Sequence, residues 1–74
     1  MRAFVEIHAT AGLLEGVLEA VRRTEGVKEA YPVAGHCDII AVLEVPDLKS
    51  LYDAVKRIHG VKGVEATETL ISVE

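Results

Sequence analysis

The sequence is poor in cysteine and in aromatic residues. Its 74 residues include one cysteine, no tryptophan, two tyrosines and one phenylalanine. A single cysteine cannot form an internal disulfide, and this usage is typical of proteins that work in a reducing cytoplasm. Two tyrosines do not supply the aromatic platform on which sheet-based RNA-binding domains stack bases. We therefore expect a cytoplasmic protein that does not recognise RNA.

Basic clusters and long apolar runs are also absent. Eight lysine and arginine residues stand against 12 acidic ones, which gives a net charge of −4. The bases are scattered, so no positive patch is available to neutralise nucleic-acid phosphates. No apolar run approaches the length of a membrane span, and the first residues enter an alternating pattern at once, unlike a signal peptide. We expect no direct contact with nucleic acid or with a membrane.

Asparagine and glutamine are missing altogether. These amides are thermolabile and are depleted in the proteins of hyperthermophiles. The composition therefore predicts a thermophilic source.

Apolar residues are abundant for so short a chain. They make up 50% of the sequence, and the mean hydropathy is +0.28. The length predicts one domain over residues 1–74, and a domain of this size buries only a modest core. We expect the remaining apolar surface to lie at the interface of a homo-oligomer.

The periodicity of the apolar residues predicts an α+β domain of order βαββαβ. Helix 11–24 would begin at Thr10 as N-cap and end at Gly26 as C-cap, and the second helix would follow Asp47 as N-cap. Pro32 lacks an N–H group, which places its strand at a sheet edge. An apolar composition on both faces makes 37–45 a central strand. The predicted strands are 2–9, 27–34, 37–45 and 63–73, and the second helix ends at His59 and Gly60.

The two halves of the chain repeat each other. A shift of 37 positions carries Val5 to Val42 and Val21 to Ile58, with the apolar pattern kept between them. Two such βαβ units form a four-stranded antiparallel sheet with two helices on one face, the ferredoxin-like arrangement. The other face would expose Phe4 and one side of strand 37–45. Such apolar patches mark interfaces, so we expect two sheets to pack together as a dimeric α+β barrel.

The polar segment AGHCDII, residues 34–40, offers His36 and Cys37 as possible metal ligands or catalytic groups. Neighbouring residues of a strand point to opposite faces, and no second cysteine exists, so we expect no metal site. A reactive cysteine needs an electropositive, partly exposed setting. Cys37 opens an apolar strand in an acidic protein, so we expect no catalytic cysteine with His8, His36 or His59 as its base.

Thr67 and Thr69 share one face of the last strand. Threonine is a good strand former, which alone accounts for the pair. The alternative is that the two hydroxyl groups face a polar ligand. The sequence leaves both interpretations open.

Three features together resemble the RAM domain, the amino-acid-sensing domain of the Lrp/AsnC regulator family. They are Gly35-x-x-Asp38, the apolar strand that follows, and the pattern GVxxTxT of residues 63–69. The resemblance covers nearly the whole chain. The family usually has an aromatic residue before the aspartate, where this chain has Cys37. Family members normally carry an N-terminal helix-turn-helix domain, so this chain resembles a stand-alone form without DNA binding of its own.

The resemblance implies a ligand site and an assembly. Effectors of the family, mostly amino acids, bind between dimers that form larger rings. Gly35 and His36 would then line the pocket with their backbone N–H groups, and Asp38 would hold the loop or meet the ligand's ammonium group. Thr67 and Thr69, of this chain or a neighbouring one, would bind the ligand's carboxylate or side chain. No cofactor is implied, and a full-length Lrp/AsnC-type regulator is an expected partner.

Other functions fit the same pattern. An ACT-like effector module would use an early glycine, for which Gly12 is the candidate. A small dimeric α+β barrel enzyme, a cofactor-free oxygenase or isomerase, would place Glu6 and His8 in a closed cavity. A scaffold that only oligomerises is a further alternative. For Asp38, a purely local role in capping the turn stands beside the role in ligand binding.

Overall fold

The chain folds in the predicted order βαββαβ. The computed structural model describes all 74 residues. Four antiparallel strands form one sheet in the order β2-β3-β1-β4, and the element order confirms the ferredoxin-like class. The elements are β1 Arg2–Ala9, α1 Leu14–Arg22, β2 Val27–Pro32, β3 Ile39–Glu44, α2 Leu48–His59 and β4 Val64–Ile71.

The strand positions follow from the sequence in the expected way. β2, which contains Pro32, is an edge strand, and the apolar β3 lies inside the sheet beside β1. Alternation along β1 directs Ala3, Val5 and Ile7 to the helix-covered face, where each is fully buried. These residues belong to a core of 13 buried side chains contributed by β1, β2, β3, the residue after β3 and both helices.

The other face of the sheet carries no helix, and we call it the open face. Phe4 lies there directly opposite Val42 on one side and Leu70 on the other. Phe4 and Val42 are half-buried, and Leu70 keeps 45% of its surface exposed. The prediction of an apolar patch on this face is confirmed for the single chain.

The first helix differs from the prediction at both ends. It begins at Leu14, and its N-cap residue Leu13 makes no side-chain capping bond, so Thr10 is not the N-cap. The N–H group of Thr10 instead donates to the Gly63 carbonyl at 2.8 Å, which extends the pairing of β1 with the segment before β4. The helix ends at Arg22, and Gly26 (φ +98°) belongs to the turn into β2 rather than to a C-cap.

The second helix has the predicted caps. The Asp47 carboxylate accepts a hydrogen bond from the Ser50 N–H group at 2.8 Å, and Gly60 follows the last helical residue. Hydrogen bonding from Ser50 holds the pKa of Asp47 below its usual value. This bond satisfies one of the donors that a helix leaves free at its N-terminus.

Strand β1 has the predicted bounds, whereas β2, β3 and β4 are shorter than predicted. β2 ends at Pro32 and β3 begins at Ile39, so residues 33–38 form a loop. Cys37 and Asp38 were predicted as the start of a strand and instead belong to this loop. β4 likewise covers 64–71 of the predicted 63–73.

The internal repeat has a slip of one residue. Gly26 and Gly63, 37 positions apart, both have left-handed φ values, of +98° and +102°. Val5, however, is fully buried on the helix face, whereas Val42, its predicted counterpart, lies on the open face. Because alternation in a strand has period two, one extra residue between strand and helix exchanges the faces. The pairing of Val5 with Val42 in the repeat was therefore wrong.

No helix of the fold combines the length and the apolar character needed to cross a lipid bilayer. The longest, α2, has 12 residues.

Gly63 should be much less tolerant of substitution than Gly12, although both have left-handed φ values. A Cβ atom at Gly63 would lie 2.8 Å from Val17 Cγ2, whereas one at Gly12 would meet nothing within 4 Å. We expect Gly12→Ala to lower the free energy of unfolding by about 1–2 kcal/mol, the cost of a left-handed L-residue. Gly63→Ala should lose roughly a further 1–3 kcal/mol through overpacking. Urea denaturation measures both, and equal losses would contradict the contact with α1.

Candidate functional site

The loop of residues 33–38 is attached to the end of β1. The Val33 N–H group donates to the Asp38 carbonyl, and the Asp38 N–H group donates to the Ile7 carbonyl, each at 2.9 Å. Gly35, at the exposed tip, has a φ of +148°, a value that L-residues with a side chain rarely adopt. The loop is therefore held at its base and bent at a glycine.

Asp38 holds this loop through its side chain as well. Its Oδ2 accepts a hydrogen bond from the Ala9 N–H group at 2.8 Å, and both groups are partly buried. The pairing of β1 with β3 ends at Ile7, so Asp38 satisfies a donor that β3 does not reach. Asp38 thus ties the loop to β1 through a residue 29 positions away, rather than through the local capping bond that was the alternative. Its Oδ1 accepts no hydrogen bond within the chain.

The tip of the loop presents free backbone donors. The N–H groups of residues 34–37 donate to no other group of the chain. Ala34, Gly35 and His36 are exposed to solvent, whereas Cys37 is buried. A row of backbone N–H groups in a bent loop provides partial positive charge that suits an anionic group.

His36 and Cys37 do not diverge as adjacent strand residues would. They precede β3, and His36 Nε2 lies 3.1 Å from Glu6 Oε2, while the ligating atoms of Glu6, His36 and Cys37 all lie within 4.8 Å of one another. The prediction that the His36 and Cys37 side chains point to opposite faces was therefore wrong. Glu6, expected only as a possible catalytic residue, is thus a third possible metal ligand.

The Cys37 thiol lies in surroundings that disfavour the thiolate. Burial raises its pKa above the usual value, and the negative charges of Glu6 and Asp38 raise the pKa further. A buried thiol with a raised pKa is a poor nucleophile at neutral pH, because the thiolate is the reactive form.

The two threonines lie on the helix-covered side of β4. Thr67 is opposite Ile7 and Thr69 is opposite Val5, and directly opposed residues share a face. Thr67 Oγ1 is 2.6 Å from His59 Nε2, a contact that the sequence did not reveal. Thr69 lines an open groove with five residues of α2: Leu48, Lys49, Leu51, Tyr52 and Val55.

The predicted site residues therefore form two separate groups within one chain. Gly35, His36 and Asp38 lie on the loop beyond β1, and His36 turns to Glu6 on the open face. Thr67 and Thr69 face the helices from the edge strand β4. No cavity contains residues of both groups.

The alternative of a barrel enzyme receives no support from the cavities. Glu6 and His8 are half-buried on the open face, and neither lines any of the four cavities. Gly12, the residue considered for an ACT-like site, has a φ of +89° in the turn before α1. The left-handed backbone of that turn accounts for a glycine at position 12.

Comparison with protein families gives one match along nearly the whole chain. A family model described as the Lrp/AsnC ligand binding domain matches residues 2–74. No match to a curated protein was found.

Solved structures with this fold include proteins of similar and of double length. The protein TTHA0845 from Thermus thermophilus is 32% identical, with a TM-score of 0.94 over 99% of this chain and 92% of that one. E. coli AsnC is 24% identical, with a TM-score of 0.90, and the match covers 99% of this chain and 50% of AsnC. The Neisseria meningitidis transcriptional regulator NMB0573, solved as a complex with L-Met, is 16% identical with a TM-score of 0.88, over 99% of this chain and 49% of that one.

Removing the Asp38 carboxylate should destabilise the fold. We expect Asp38→Ala to lower the free energy of unfolding by about 1.5–3 kcal/mol, since the partly buried Ala9 N–H group loses a charged acceptor. Asp38→Asn keeps an acceptor oxygen and should lose less than half as much. Urea denaturation of the two variants measures the difference, and an unchanged midpoint for Asp38→Ala would contradict this role.

Proposed function

The chain belongs to the Lrp/AsnC ligand-binding domain family, and from that premise we propose that it binds an amino-acid effector and changes its assembly in response. The family match establishes a ligand-binding regulatory module. The class of ligand, the residues that bind it and the assembly are our proposal.

One observation carries the proposal: the loop 33–38 presents both kinds of group that an amino acid requires. Its free backbone N–H groups at Gly35 and His36 can donate to the ligand's carboxylate. The unbonded Oδ1 of Asp38 can accept from the ligand's ammonium group, while Oδ2 keeps the loop attached to Ala9. Charge-assisted hydrogen bonds of this kind are shorter and stronger than neutral ones.

The two threonines enter this site from a neighbouring copy. Within one chain they lie on the helix side of β4, apart from the loop. A second chain whose β4 and α2 lie against the loop would bring Thr69 and the apolar groove beside it to the ligand's side chain. We infer that the complete pocket requires at least two chains.

The open face supplies the surface for a dimer. A row of half-buried or exposed apolar side chains crosses it, formed by Val42, Phe4 and Leu70, and the half-buried Ile40 lies beside this row, opposite Glu6. Packing this row against a second copy would remove it from water. Dimers that meet through loop and β4 would then form a ring.

Regulation follows from linkage between binding and assembly. A ligand held between dimers stabilises the assembly that offers the complete pocket, by its difference in affinity for the two states. The signal would pass to a full-length regulator of the same family by co-assembly in the cytoplasm, without DNA binding or enzymatic activity of this domain. NMB0573 was solved with L-Met, but at 16% identity its similarity to this chain supports only a shared fold. Methionine is therefore one of the twenty amino acids to test.

The proposal predicts that one or a few amino acids stabilise the protein and shift its oligomeric mass. At a ligand concentration of about one hundred times Kd, the free energy of unfolding should rise by about 2.7 kcal/mol. In so small a domain this raises Tm by on the order of 10 °C. Thermal melting and light scattering with each of the twenty amino acids measure both effects.

Single substitutions test whether the stabilisation by amino acids depends on the proposed ligand-binding residues. Thr69→Val should weaken the response at least tenfold in ligand concentration, whereas Thr10→Val, at a threonine whose hydroxyl group makes no hydrogen bond within the chain, should leave it unchanged. A dimer whose melting temperature ignores all twenty amino acids would overturn the proposal.

A further inference from the structure

Glu6, on the open face, forms a cluster with His36 and Cys37 of the loop. Their carboxylate, imidazole and thiol ligand atoms all lie within 4.8 Å of one another. We propose that this cluster binds a divalent transition-metal ion of the zinc class. The site uses the side chains of Glu6, His36 and Cys37, none of which serves as a ligand-binding side chain in the proposed amino-acid site, although both sites involve the loop 33–38.

The cluster is assembled by long-range structure rather than by chance contact of flexible side chains. Glu6 comes from the central strand β1, where its side chain is only 16% exposed. His36 and Cys37 are brought to it by the bonds from the Asp38 N–H group to Ile7 and from the Ala9 N–H group to the Asp38 carboxylate. Two ligands are therefore buried or nearly so, and the third, His36, is 77% exposed and leaves a path for the ion.

The donor set selects a class of metal. Thiolate sulfur and imidazole nitrogen are ligands of Zn²⁺ and related transition ions, whereas Mg²⁺ and Ca²⁺ take oxygen ligands. Three protein ligands leave one position of a tetrahedral ion open to water or to another group.

The charges around the cluster point independently to a cation. Glu6 has no lysine or arginine partner, and its only ionic contact is with His36. Glu68 lies directly opposite Glu6 on β4 and has no ion-pair partner at all. Like charges directly opposite in a sheet are destabilising, so this pair leaves negative charge that a divalent ion would offset.

The alternative is that His36 and Glu6 form only an ion pair. With His36 largely exposed, such a pair contributes little to stability, and it gives Cys37 no part. A bound metal ion would involve all three residues, whereas the ion pair involves only His36 and Glu6. Substitution of Cys37 therefore distinguishes the two explanations.

Titration of the metal-free chain with Co²⁺ tests the proposal. A thiolate bound to Co²⁺ produces a sulfur-to-metal charge-transfer band in the near ultraviolet, and Zn²⁺ should displace the cobalt and abolish the band. We expect one ion per chain and a dissociation constant in the micromolar range or below. Cys37→Ser should abolish the band, and His36→Ala and Glu6→Gln should each weaken Co²⁺ binding at least tenfold.

Two matched controls lie away from the cluster. His59→Ala removes a histidine that contacts Thr67, and Glu15→Gln removes an exposed carboxylate on α1, so neither should change Co²⁺ binding. If Cys37→Ser fails to fold, the two variants with more accessible side chains, His36→Ala and Glu6→Gln, decide the matter. No band in the parent chain, or a band that persists unchanged in both of these variants, would overturn the proposal. Amino-acid binding is measured separately, so either proposal can fail alone.

Discussion

The alternation of β1 is the constraint on which the rest of the structure depends. This strand pairs with β3 on one side and β4 on the other, and every second residue of it is buried under the helices. Ala3, Val5 and Ile7 therefore lie in the core. Because side chains alternate along a strand, Phe4 and Glu6 lie on the open face. A slip of one residue would bury a carboxylate and expose the core, so the register is strongly specified.

The end of β1 also gathers the polar groups of interest. The Ile7 carbonyl and the Ala9 N–H group anchor Asp38, while Glu6 meets His36 and Ile7 faces Thr67 across the sheet. The interior of the strand contributes stability through burial, and its end offers groups that neighbouring strands no longer satisfy. Ligand chemistry is concentrated where the regular pairing stops and a loop takes over.

The architecture could be predicted from the sequence because local residue patterns identify the strands and their positions in the sheet. Period-two alternation identified β1, the apolar composition of β3 indicated an internal strand, and Pro32 marked an edge strand. Element ends were less predictable: Thr10 is hydrogen-bonded to Gly63, a residue far away in the chain, and α1 begins only at Leu14. The site was harder still. Proximity of Glu6 to Cys37 requires a loop that leaves the sheet before β3, and nothing local in AGHCDII specifies that departure.

The charge distribution on the open face restricts how a second copy can pack there in the dimer that we propose. Phe4, Val42 and Leu70 occupy one level of the sheet, and Glu6 and Glu68 occupy the level two residues further along β1. In a two-fold dimer each patch meets a patch of the partner. An axis near Glu6 would bring four carboxylates together, whereas an axis near Phe4 joins the apolar rows and carries the two acidic pairs to opposite ends. The second arrangement buries the apolar surface and leaves each Glu6 free to contact His36 of its own chain. The dimer interface and the cluster of Glu6, His36 and Cys37 are therefore compatible only when the axis lies near Phe4.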